Sequence, residues 1–146
     1  MALFSKKPNQ EDTFKINQAM KELNYHNETI VRMDNVEGFL NEIHSLKETV
    51  EKLLKYERKY PKVFNPKPSV ILKNFELNKI LLEKNFIDRY VEVIERKLLD
   101  YSTDRGKKNN LFKKVDLLRY YVDEFDPETL VYFNCRLSER FPQYFK

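Results

Sequence analysis

From Ser69 to Tyr101 the chain contains neither glycine nor proline, and this run constrains the fold more than any other feature. Ile80, Ile87, Val91, Ile94, Leu98 and Tyr101 recur along it at helical spacing. At ~100° per residue they fall within roughly 80° of one another, and Phe86 and Tyr90 widen the stripe on one side. Arg89, Glu92 and Arg96 fall opposite and read as solvent-face residues. A single helix of about 32 residues would span ~48 Å. It cannot bury such a stripe alone, so other segments must cover it.

Composition points the same way. The 146 residues include only two glycines, Gly38 and Gly106, and six prolines. A many-stranded β fold needs a turn signal roughly every 8–12 residues, and this chain does not supply them. With 41% hydrophobic and 34% charged residues the chain is expected to fold rather than stay disordered. No stretch approaches the ~18–20 uninterrupted apolar residues of a membrane span. The opening Met1-Ala-Leu-Phe-Ser-Lys-Lys-Pro lacks the apolar core of a secretory signal, and Cys135 stands alone. A cytoplasmic location is therefore expected. Residues 1–11 are polar, contain Pro8 and read as a disordered N-terminal segment; 12–146 read as one helical-bundle domain.

The remaining helices follow from periodicity and caps. Phe14, Ile16, Met20 and Leu23 predict a helix from Asp12 that the polar run Asn24–Asn27 interrupts. Asp34 followed by Glu37 predicts a second start near Asp34. Val36, Ile43 and Val50 then occupy a positions of a heptad, and Phe39, Leu46 and Leu53 the d positions. Leu40 and Leu54 broaden this stripe toward an ordinary bundle face, which favours an internal helix over an intermolecular coil. The helix should stop before Pro61, and Tyr60–Pro68 should cross over in extended form, with Val63 and Phe64 capping one end of the core. Ser102–Asn110 reads as an exposed turn. Leu111, Val115, Leu118, Val122 and Phe125 predict a fourth helix capped by Asn109 or Asn110. Asp126-Pro127-Glu128 is the sharpest local signal, an N-cap followed by proline at the first helical position. Leu130, Phe133, Leu137 and Phe141 form the face of that last helix, and the aromatic tail should fold back. The expected class is all-α, a single bundle of four to five helices around one long central helix.

Residues capable of chemistry are few. Cys135 falls ~140° from the centre of the Leu130–Leu137 face and reads as a small hydrophobe packed on a neighbouring helix. Glu22 and His26, and His44 and Glu48, are spaced four apart and read as solvated helix pairs rather than metal ligands. The carboxylates Asp123, Glu124, Asp126 and Glu128 could suit a hard cation, yet capping already explains two of them. With two glycines there is no phosphate-cradling loop or dinucleotide fingerprint. No catalytic, cofactor or metal site is expected.

Charge distribution says more. Segments 44–67 and 104–114 each sum to +4, while the rest of the chain is neutral or acidic. Lys55, Arg58, Lys59 and Lys62 interleave with Tyr56 and Tyr60, and Arg105, Lys107, Lys108, Lys113 and Lys114 make a second patch. Aromatic rings beside cations are the chemistry of single-stranded nucleic-acid contact, so both regions are candidate polyanion-binding surfaces. Val36, Phe39, Leu40, Ile43, Leu46, Val50, Leu53 and Leu54 are candidates for self-association as a homodimer. The reading is a non-enzymatic helical protein-interaction module whose partner is another protein or a second copy. A nucleic-acid-binding accessory protein is the alternative, and a small-molecule enzyme ranks third.

Overall fold

The computed structural model describes residues 7–120 and 123–145. Five helices make up the fold, and no strand occurs among the described residues. They are α1 (Gln10–Ile30), α2 (Val36–Lys59), α3 (Pro68–Asp100), α4 (Arg105–Arg119) and α5 (Pro127–Arg140). The all-α class is as expected, and α3 is the longest element at 33 residues. No helix is long and apolar enough to cross a membrane.

Helix boundaries moved where a cap decided them. α1 begins two residues earlier than expected because the Asn9 side chain accepts from the Asp12 N–H at 2.8 Å. It also runs unbroken through Asn24–Asn27, where Leu23 and Ile30 are buried and tertiary packing outweighs weak propensity. α2 starts at Val36, capped by Asn35 rather than Asp34: Asn35 Oδ1 accepts from Gly38 N–H at 2.7 Å. A Cβ at Gly38 would lie 2.7 Å from that oxygen and 2.9 Å from Met33 Sδ, so a larger residue there would have to displace the capping side chain or that of Met33. α4 begins at Arg105, and most of the expected Ser102–Asn110 turn is helical. Asp104, in extended backbone, accepts from Lys107 N–H at 3.0 Å and nucleates the helix ahead of Asn109. The helix ends at Arg119, short of Phe125; Val122 lies outside the described residues. α5 starts as expected, with Asp126 accepting from Glu128 N–H at 2.9 Å and proline in the first turn.

The chain divides into two compact units: residues through Arg32 with Leu40–Lys79, and Met33–Phe39 with the chain from Ile80 onward. In the first, the α1 face (Ile16, Ala19, Leu23, Ile30) and the α2 face (Ile43, Leu46, Val50, Leu53) are buried. Phe64 is buried in the crossover as expected, whereas Val63 is exposed and caps nothing. Glu57 at the end of α2 accepts from the Ser69 hydroxyl at 2.8 Å, tying α2 to the start of α3.

The second unit is built on aromatics. Phe39 stacks on Phe86 with centroids 4.4 Å apart, and Phe125 lies 5.9 and 6.0 Å from the same two rings. Tyr90 extends the stack to Phe133, and burial raises its phenol pKa above the ordinary value. Ile87, Val91 and Ile94 of the α3 stripe are buried with them. Arg89, expected on the solvent face, is instead half-buried: its Nε donates to the Met33 carbonyl at 2.7 Å, closing the α1–α2 turn. Glu92 and Arg96 are exposed as expected. The aromatic tail does fold back, with Phe145 buried and 5.7 Å from Phe112.

Candidate functional site

The most developed concavity lies in the first unit, between α1 and α2. Lys52, Lys55, Tyr56 and Lys59 form one wall, and Lys15, Gln18, Ala19 and Glu22 the other, enclosing a cleft of about 480 Å³. Helical spacing explains the walls. Residues 52, 55, 56 and 59 share one face of α2, and 15, 18, 19 and 22 share one face of α1. Ala19 is small and buried, and the four lysines that line the cleft are exposed.

Two of the four lysines are neutralised. Lys15 lies 3.0 Å from Glu11, which raises its pKa, and Lys59 lies 3.0 Å from Asp12, which raises its own. Lys52 and Lys55 form no ion pair among the described residues and supply the unbalanced charge. The Asp12 carboxylate also accepts from the hydroxyl of buried Tyr60, fastening the start of α1 to the end of α2 beside the cleft. That bond, and secondarily the one from Lys59, lowers the Asp12 pKa below 3.8, and it raises that of Tyr60.

The sign of the pH effect follows. A carboxylate with a lowered folded-state pKa contributes stability that is complete above its unfolded value and is lost as pH falls through the folded one. Asp12→Asn should therefore lower the melting temperature near neutral pH. The gap to the unmutated chain should close as pH falls below about 4. Thermal unfolding of both proteins over that range checks it; a gap independent of pH would mean that the Asp12 contact owes nothing to its charge.

Beside the cleft, α1 presents unburied aromatics. Phe14 and Tyr25 are 68% and 62% exposed, and helical spacing places both on the flank of Gln18, at the edge of the cleft wall.

A second, smaller concavity of about 200 Å³ lies in the second unit. Lys97 and Tyr101 of the α3 end face Lys107, Asn110, Leu111 and Lys114 of α4 across it. The Lys107 ammonium sits 5.5 Å from the centre of the Tyr101 ring, a cation–π distance.

Of the residues singled out for polyanions, Lys55 and Lys59 line the larger cleft and Lys107 and Lys114 the smaller. Arg58, Lys62, Arg105 and Lys113 are exposed elsewhere, and Lys108 is half-buried. Lys15 and Lys97 lie outside the local basic runs and enter only through helix pairing, whereas Lys52 shares the α2 face of Lys55 and Lys59. Of the self-association candidates, Phe39, Ile43, Leu46, Val50 and Leu53 are buried within the chain, and Val36, Leu40 and Leu54 are half-buried.

The remaining candidate groups make structural contacts or none. His26 Nδ1 lies 2.6 Å from Glu42 of the facing helix, not against Glu22. Cys135 is exposed rather than packed against a neighbour, consistent with its angle off the α5 face. Among the described residues no three His, Cys, Asp or Glu side chains converge as a metal site would require. No family model, characterised protein or solved structure matches this chain.

Proposed function

We propose that this chain is a non-enzymatic protein-interaction module that receives an acidic, amphipathic segment of a partner protein along the α1/α2 cleft. The observation that carries this reading is the make-up of the cleft, in which Ala19 and Tyr56 share the lining with Lys52 and Lys55, neither of which forms an ion pair among the described residues. A helix laid into such a groove would set apolar anchors on the floor and carboxylates against the rim. Phe14 and Tyr25 extend the apolar contact, and exposed aromatics are enriched where proteins meet. A second copy docking through the α2 stripe is less well supported, since most of that stripe already lies inside the fold.

The nucleic-acid reading draws on the lysine–tyrosine pairs, Lys59 with Tyr60 and Lys107 with Tyr101. Against it, Tyr56 is half-buried rather than offered for stacking.

Fluorescence anisotropy separates the two. A labelled acidic amphipathic peptide and a single-stranded oligonucleotide of equal charge are titrated with the chain and with the Lys52→Glu/Lys55→Glu variant. The peptide should bind more tightly, and the double reversal should weaken it about thirtyfold, equivalent to ~2 kcal/mol from two rim contacts. Tighter oligonucleotide binding with the same sensitivity would replace the protein-partner reading by the nucleic-acid one.

A further inference from the structure

We propose that the concavity between α3 and α4 is a binding site for the phosphate dianion of a small soluble ligand, separate from the partner-binding cleft. Three lysines, Lys97, Lys107 and Lys114, belong to its lining, together with Asn110 and Tyr101. No carboxylate lines it. None of the three lysines forms an ion pair among the described residues. Elsewhere many cations have found acids: Lys59 with Asp12, Arg119 with Asp116, Arg140 with Glu95. Unpaired like charges gathered around one hollow repel one another, and a compact dianion removes that repulsion better than a single carboxylate can.

The helix that supplies two of these lysines carries the same conflict in its own sequence. The N-terminal end of a helix is the positive end of its dipole and favours acidic residues. The first turn of α4 instead holds Arg105, Lys107 and Lys108 and no acid. Lys107 sits three residues after the Asp104 cap, to which its backbone N–H donates, at a first-turn position where an acid would suit the dipole. Local rules broken in this way are most often broken for a site. By contrast, Lys97 in the last turn of α3 agrees with its helix dipole. The volume of about 200 Å³ is below the ~300–1,000 Å³ of pockets that enclose whole organic ligands. It suits a phosphate group whose remainder stays in solvent. Asn110 would donate its amide N–H to a phosphate oxygen, and the lysines would supply charge.

The test uses the full chain and thermal unfolding in sodium phosphate, in a simple alkyl phosphate, and in sodium chloride of equal ionic strength. Phosphate should raise the melting temperature above the chloride value, saturably, because the ligand binds only the folded state. Lys107→Glu should raise the melting temperature in chloride, by placing an acid at the positive end of the helix dipole, and abolish the response to phosphate. Lys114→Gln, which leaves the cap alone, should also weaken that response. Opposite signs for Lys107→Glu in the two salts are what a merely structural lysine would not give. A response to inorganic phosphate alone would identify the free ion as the ligand, and an equal or larger response to the alkyl phosphate an ester. No saturable response, or one that persists undiminished in both variants as general salting would, overturns the site.

Discussion

Ile94→Asp is expected to lower the urea midpoint of the chain more than any conservative change in its core. Ile94 is fully buried in the middle of the α3 stripe, between Val91 and the last turns of the helix. A carboxylate there has no cation among the buried residues of that stripe, so it must either ionise without a partner or take up a proton and still forgo water. Substitutions of this kind belong to the small class that cost more than about 4 kcal/mol, against a typical total of 5–15 kcal/mol. Ile94→Val, which removes one methylene from the same position, should cost only about 0.5–1.5 kcal/mol. Urea unfolding followed by circular dichroism gives both numbers. An unchanged midpoint for Ile94→Asp would show that this face of α3 is not core.

That prediction rests on a feature the sequence makes plain, since burial of an apolar stripe leaves a period that survives every detail of packing. Ile87, Val91, Ile94, Leu130, Phe133 and Leu137 were legible for this reason, and all are buried. Boundaries were less so, because a cap is one side chain among several candidates. Asn35 took the place offered to Asp34, and Asp104 acted before Asn109 or Asn110 could. The Asp126-Pro127 start was legible because cap, proline and first-turn acid agreed. Arg89 was misplaced because angle around a helix shows which residues face away from its own stripe, not what else packs there. Here the Met33 carbonyl, 56 residues away in sequence, claimed it. The candidate surfaces were half legible for a related reason. Lys55 and Lys59, or Lys107 and Lys114, stand in visible basic runs, but a cleft has two walls. Its second wall comes from wherever the chain returns.

One legible signal concerns Glu83. At ~100° per residue it falls at the same angle as Tyr101, inside the apolar stripe of α3, and an acid in such a stripe needs partners. The structure supplies them: Glu83 is 1% exposed, and its Oε1 accepts from the Thr129 hydroxyl at 2.7 Å and from Asp126 N–H at 3.2 Å. Both donors belong to the start of α5. One carboxylate from α3 thus satisfies groups at that helix end that its own Asp126 side chain, bonded to Glu128 N–H, does not reach. Its negative charge also faces the positive end of the α5 dipole. Glu83→Ala removes the acceptor while leaving fully buried Thr129 in place, and opens a cavity beside it. The expected loss is about 2–4 kcal/mol, from buried donors left without an acceptor and from the cavity. Pairing Glu83→Leu with Thr129→Val removes acceptor and hydroxyl together and refills the space. The double variant should therefore be more stable than Glu83→Ala, by urea midpoint, despite carrying one more substitution. If it is instead less stable by the sum of its parts, the Glu83–Thr129 contact carries no coupling and α5 is held by its apolar face alone.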